Sequence, residues 1–281
     1  MRLPRTLVLI LLAIAVAGLL LVLIPSAKES GSGSIAADTL STDELIERGR
    51  YLALAGNCAS CHTTTDGDYM AGGLPFETPF GTIYSTNITP DADTGIGTWR
   101  DWDLLNSLRH GISASGEHLY PVFPYTAFSK VTNEDAAALY AYLQSIPAVN
   151  RVNTENELSF PYNIRPLMAV WKRLFFSPGA FEADETQSSE WNRGAYLVEA
   201  LAHCSACHTP RNLLGAEKAG APMAGGEYWD KVAPGVHKPW SAPNLTSSAR
   251  GLGIWSESDL HTYLKTARND FLESFDPAQI S

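Results

Sequence analysis

Between Leu7 and Ile24 the chain runs for 18 residues without a charge. As a helix rising 1.5 Å per residue, such a run is about 27 Å long, close to the roughly 30 Å hydrocarbon core of a bilayer. Arg2 and Arg5 precede it, so the positive-inside rule holds them in the cytoplasm and sends the chain outward after about residue 26. The best small-residue cleavage site, Ser34-Ile35-Ala36, lies well downstream. Residues 1–26 therefore read either as an uncleaved anchor or as a cleaved export signal. Residues 27–40, rich in Ser, Gly and Ala, read as an unstructured linker.

Beyond residue 40 the apolar positions take a helical period. Leu45, Ile46 and Leu52, behind a Ser41/Glu44 capping box, predict a helix leading into Cys58. Arg193–Leu201 predicts a counterpart leading into Cys204. Further helices are expected at Trp99–His110 and at Ser256–Thr266, the latter with a Ser256/Asp259 box. A Thr132/Asp135 box opens a stripe of Ala137, Leu139, Tyr140, Leu143 and Ile146. Residues 163–176 predict one more helix, with Lys172 and Arg173, either packed between domains or docking a partner subunit. Segments rich in Gly, Pro and Thr separate these helices as loops, so the expected fold class is all-α.

These elements recur. "ERGRYLALAGNCASCHT" at 47–63 is repeated as "NRGAYLVEALAHCSACHT" at 192–209 with one extra residue. "AGG" at 71 and 224, "NIT" at 87 and "NLT" at 244, "GTW" at 97 and "GIW" at 253, and "WDLLNSLRHG" and "SDLHTYLKTA" follow in the same order. The expected organisation is a first domain at 41–149, a linker with a helix at 150–187, and a second domain at 188–281. The second copy has no match for the helix after Thr132 and reads as incomplete.

A net charge of −10 makes a phosphate-tracking surface a poor reading, so no nucleic-acid partner is expected. Each copy carries Cys-x-x-Cys followed at once by histidine: Cys58, Cys61 and His62, then Cys204, Cys207 and His208. Two disulfides would not require the histidines, and zinc would need a fourth ligand that the scattered remaining histidines do not offer at metal-site spacing. Cys-x-x-Cys-His is the attachment signature of haem c. The four cysteines would form thioethers and the two histidines would be the proximal iron ligands. A buried macrocycle also supplies the apolar volume that a helical domain of about 100 residues lacks. Met70 and Met223 follow the proximal histidines too closely and read as loop packing, and Met168 reads as packing of the linker helix.

At "AGGLPFETPFGTIYSTNITPD", "GIGTW", "LRHGISASGEHLYPVFPY" and "LYAYLQSI" the chain resembles the cytochrome c subunits of bacterial membrane-bound dehydrogenases. Those are the electron-accepting subunits of alcohol, gluconate or aldehyde dehydrogenases and of molybdenum hydroxylases such as the isoquinoline and nicotinate enzymes. The resemblance covers residues 45 to about 270. It implies a periplasmic cytochrome, not itself an enzyme, that takes electrons from a catalytic dehydrogenase subunit at the cytoplasmic membrane and passes them to ubiquinone or a terminal oxidase. Where members commonly have Met in this loop the chain has Phe123, which leaves the sixth ligand open, with His118 a candidate. Members also usually carry a third Cys-x-x-Cys-His domain, and this sequence has no third motif. The alternatives are a dihaem peroxidase, since iron without Met is open to peroxide, and a haem gas sensor, for which no signalling domain is visible.

Overall fold

The computed structural model describes residues 4, 6, 35, 40–233 and 236–266. The apolar run Leu7 to Ile24 lies outside them; among the described residues no helix is long and apolar enough to cross a membrane. Two compact units emerge, residues 1–206 with 229–238 and residues 207–228 with 239–281.

In the first unit, α1 (Thr42–Ala55) begins at Ser41, whose Oγ accepts from the Glu44 N–H while the Glu44 carboxylate accepts from the Ser41 N–H at 2.8 Å. This is the capping box read from the sequence. A short α2 (Cys58–His62) carries the first cysteine pair. α3 (Asp101–His110), α4 (Tyr125–Phe128) and α5 (Asn133–Ser145) complete the frame, with Leu52, Leu105, Leu108, Phe128, Ala138 and Leu143 in one buried cluster. α1 and α5 touch at Gly49, where an added Cβ would sit 1.9 Å from the Ala138 carbonyl oxygen. Within the expected linker, Ile35 is buried and its N–H donates to Asp101 Oδ2 at 2.8 Å.

The all-α expectation is overturned. β1 (Pro75–Thr78) pairs antiparallel with β2 (Gly81–Tyr84), which pairs with β3 (Glu157–Leu158). β4 (Gly226–Ala233) and β5 (Val236–Ala242) form a second sheet. The strands of the first sheet have at most four residues, too short for a period of two to separate them from loops. β1 and β2 pair with each other, and β2 pairs on its other edge with Glu157 and Leu158, far away in sequence. "GEYWDKVA" and "VHKPWSA" are enriched in aromatic and β-branched residues around a Pro234-Gly235 dipeptide, which is a hairpin signal rather than a loop one.

The segment between the repeats packs on the first unit. α6 (Leu167–Phe175) buries Ala169, Trp171 and Lys172. Lys172 Nζ donates to the carbonyls of His110 at 2.7 Å and Gly111 at 3.0 Å, at the C-terminal end of α3, where the helix dipole favours a cation. Lys172→Met is expected to remove both bonds, leaving the Gly111 carbonyl with the Leu119 N–H at 2.8 Å, and to cost about 1–3 kcal/mol in denaturant unfolding.

The second repeat opens with α7 (Ser189–Tyr196), capped by Ser188, followed by a π-helical turn at Leu197–Leu201 and by α8 (Ser205–His208). The sequence predicted one regular helix there. The extra residue of the second copy is absorbed as the π turn, which holds one more residue per hydrogen-bonded ring than an α-helix. Tyr196, Ala200 and Leu201 join the buried cluster of the first unit.

In the second unit α9 (Glu257–Thr266) has the reciprocal Ser256/Asp259 box, with Ser256 N–H donating to Asp259 Oδ2 at 2.8 Å. Leu264 on α9 is 83% exposed, whereas its counterpart in the first copy, Leu108 on α3, is 7% exposed.

Candidate functional site

The first motif is framed by a reversal of the chain. Asn57, at φ 54°, takes the left-handed conformation that Asn tolerates better than most residues, and turns α1 into α2. Cys58 is half-buried against the apolar cluster, and burial pushes its thiol pKa up to about 12, with Cys61 adding to the shift. The four cysteines are not joined in disulfides. Among the described residues no three His, Cys, Asp or Glu side chains stand together as a metal-holding group.

His62 follows at the end of α2, half-buried, with Nδ1 2.6 Å from the carbonyl oxygen of Thr86. Burial lowers its pKa and the Thr86 bond opposes that shift. With Nδ1–H donating to a carbonyl, the neutral ring keeps its lone pair on Nε2, the arrangement of a metal-ligating histidine whose second nitrogen is fixed from outside. The loop after His62 is tied back: Gly72 N–H donates to the His62 carbonyl at 2.7 Å, Met70 N–H to Thr63 Oγ1 at 3.1 Å, and Ile88 N–H to the Met70 carbonyl at 3.0 Å. Gly72, at φ 73°, lies so close to Thr86 that a Cβ would meet its carbonyl carbon at 2.3 Å. A side chain at position 72 would push away the carbonyl that orients His62.

The second unit repeats this scaffold bond for bond. His208 Nδ1 lies 2.7 Å from the carbonyl oxygen of Pro243, Gly225 N–H donates to the His208 carbonyl at 2.8 Å, Met223 N–H to Thr209 Oγ1 at 3.0 Å, and Leu245 N–H to the Met223 carbonyl at 2.8 Å. Met70 and Met223 both have positive φ, 62° and 58°. Sequence reasoning misses Thr86 and Pro243, although each precedes a repeated Asn-x-Thr whose Asn accepts from Thr: Asn87 Oδ1 from Thr89 N–H at 2.9 Å, Asn244 Oδ1 from Thr246 N–H at 2.8 Å. That turn aims the preceding carbonyl, so "NIT" and "NLT" are the available signal.

Phe123, in the loop where the resemblance places a Met, packs against the apolar cluster and against Phe128, ring centroids 5.5 Å apart. His118 lies towards α6: its carbonyl accepts from Arg165 at 3.1 Å, and burial, with Lys172 and Arg173, pulls its pKa down from 6.5 to about 4. The fold holds this ring neutral while the unfolded imidazole titrates at its ordinary value, so the unfolded chain binds more protons between the two. Stability is therefore expected to fall as pH drops from about 6.5 to about 4. His118→Gln should flatten that limb of an acid-denaturation curve. Met168 is half-buried on α6.

The cytochrome c family model matches residues 46–147. The chain is 38% identical over 236 residues to a diheme cytochrome c-type protein of Cereibacter sphaeroides, covering 82% of this chain and 75% of that one. The chain belongs to the c-type cytochromes. The cytochrome is also 49% identical over 222 residues to a nicotinate dehydrogenase subunit from Pseudomonas putida, covering 79% of this chain and 18% of that protein. It is 42% identical over 243 residues to the gluconate 2-dehydrogenase cytochrome c subunit of Pantoea cypripedii, covering 85% and 55%. The cytochrome thus spans about half the length of the gluconate relative and a smaller part of the nicotinate one. A cytochrome c domain implies covalently bound haem c, and paired thiols outside disulfides beside an oriented neutral imidazole fit that group.

Proposed function

We propose that this chain is a dihaem electron carrier on the periplasmic side of the cytoplasmic membrane, taking electrons from a catalytic dehydrogenase subunit and passing them to quinone or a terminal oxidase. The observation that carries the reading is the duplicated histidine scaffold: the same four backbone and side-chain bonds surround His62 and His208, each one residue past a cysteine pair. Cys58, Cys61 and His62 would hold one haem, the histidine binding its iron, and Cys204, Cys207 and His208 the other. When bound, the haem supplies reversible one-electron chemistry at iron. The Thr86 and Pro243 carbonyls would fix the tautomer and ring orientation of the two ligands. The cytochrome c subunits among the relatives support the partner assignment, and the apolar run behind Arg2 and Arg5 supports the location.

The test uses the full chain isolated from membranes of the organism that makes it. A dehydrogenase subunit is expected to co-purify, its substrate should reduce the cytochrome, and the reduced form should be reoxidised by decylubiquinone or by oxidase-containing membranes. Rapid turnover of hydrogen peroxide with a ferrous donor, without substrate-dependent reduction, would assign the chain to the peroxidase alternative and overturn this reading.

A further inference from the structure

The turn that aims the Thr86 carbonyl at His62 is held by a segment far along the chain. Residues 149–153 follow α5 without regular secondary structure, just past the residues 46–147 that the cytochrome c family model matches. Their bonds run back into the first unit. Asn87 N–H donates to Asn153 Oδ1 at 2.6 Å, and Asn87 Nδ2 to the Val149 carbonyl at 2.7 Å and Thr94 Oγ1 at 3.0 Å. Arg151 N–H donates to the same Thr94 oxygen at 3.0 Å, and Asn153 Nδ2 to the Thr94 carbonyl at 3.0 Å. The Arg151 guanidinium donates to the Gly72 carbonyl, so close that a Cβ on Gly73 would lie 2.0 Å from it. One segment thus grips both Gly72, whose N–H holds the His62 carbonyl, and the peptide whose oxygen meets the His62 ring.

That peptide gives the grip a chemical consequence. The Thr86 carbonyl and the Asn87 N–H belong to one planar unit, so fixing the N–H fixes where the carbonyl points. Asn153 Oδ1 and His62 Nδ1 therefore bind opposite ends of a single peptide, at 2.6 Å each. Hydrogen bonds in such a chain polarise one another, and an acceptor on the N–H makes the carbonyl the better acceptor at its other end. In the second unit the corresponding Asn244 keeps its side-chain bonds local, with Nδ2 donating to Ser248 Oγ at 3.4 Å and Oδ1 accepting from Thr246 N–H at 2.8 Å.

We infer that Asn153 is a positioning residue for the first haem ligand: through the Thr86–Asn87 peptide it sets the strength of the hydrogen bond on His62 Nδ1, and with it the reduction potential of the iron that His62 would bind. The inference rests on the haem reading of Cys58, Cys61 and His62 above. Hydrogen bonds to the ligand are one of the levers by which a protein tunes its metal. A weaker bond on Nδ1 leaves the imidazole a poorer donor to ferric iron, so the potential rises.

The experiment uses the full chain with its haems attached. Pyridine haemochrome is measured first: fewer than two groups per polypeptide in the unmodified chain defeats the haem reading and the inference with it. With two present, Asn153→Ala is expected to keep both haems, to raise one of the two midpoint potentials in a spectroelectrochemical titration and to leave the other unchanged. Exchange of the His62 Nδ1–H, followed by NMR of histidine-labelled protein, is expected to speed up several-fold while that of His208 stays the same, which assigns the shifted potential to the first site. Thr94→Val, which removes the oxygen that Asn87 and Arg151 share, is expected to raise the same potential. Asn150→Ala is the control, since the Asn150 side chain reaches Asp91 instead, at 3.3 Å, and it should shift neither potential. All three substitutions are neutral, so a change of net charge explains none of these results. Unchanged potentials in both Asn153→Ala and Thr94→Val, an equal shift in Asn150→Ala, or loss of the first haem from Asn153→Ala would overturn the positioning role, the last because it would make Asn153 a folding residue.

Discussion

Gly49→Ala is expected to disrupt the first repeat, lowering stability by about 3 kcal/mol or more, whereas Gly194→Ala is expected to be neutral or slightly stabilising. The two glycines occupy the same place in the two copies. At Gly49 a methyl would lie 1.9 Å from the Ala138 carbonyl oxygen, 2.6 Å from its carbon and 2.7 Å from Tyr142 Cβ, so α1 and α5 would have to separate along their whole crossing. Overpacking against side chains costs about 1–3 kcal/mol, and here the obstacle is backbone, which cannot rotate away. At Gly194 nothing lies within 4 Å, and alanine in a helix interior is favoured over glycine by roughly 0.5–1 kcal/mol. Denaturant unfolding followed by circular dichroism separates the two outcomes. Equal effects at both positions would refute the crossing as the reason for Gly49.

Asp135→Ala is expected to cost roughly 3 kcal/mol, from the loss of hydrogen bonds between a buried carboxylate and its partners. Asp135 is 2% exposed, accepts from Tyr196 Oη at 2.6 Å and from Arg48 Nε at 2.7 Å, and so joins α5 both to α1 and to the leading helix of the second repeat. Arg48 is substantially exposed and regains water when its partner is removed, which limits the electrostatic part of the loss. Tyr196→Phe should cost about 1 kcal/mol alone, and in the double variant the two losses should fall short of their sum, because both remove the same bond. Strict additivity would show that the Tyr196–Asp135 contact contributes nothing.

Asp135 also shows where sequence reading reaches its limit. Thr132 and Asp135 form the local pattern of a capping box, and half of it is present: Thr132 Oγ1 accepts from the Asp135 N–H at 3.2 Å. The carboxylate is taken by Tyr196, 61 residues away, and a contact at that separation leaves no local trace. Ser41/Glu44 and Ser256/Asp259 keep both halves because both helices start at an exposed surface with no competing partner. The cysteine and histidine spacing is legible because thioether attachment constrains consecutive residues. The carbonyls of Thr86 and Pro243 are not, since any residue can offer a carbonyl and only folding selects which one meets the imidazole. The extra residue before Cys204 is visible as an insertion, but its accommodation as a π turn against the first repeat depends on packing that one sequence window does not contain.

The account turns on how much haem stays bound to the chain after denaturation. The purified full-length cytochrome, unfolded and extracted with acidified acetone, should retain its pigment and give a haem c pyridine haemochrome equivalent to two groups per polypeptide, matched by the intact mass. Extraction of the pigment into the acetone, or a ratio of one, would contradict the duplicated attachment at Cys58, Cys61 and His62 and at Cys204, Cys207 and His208.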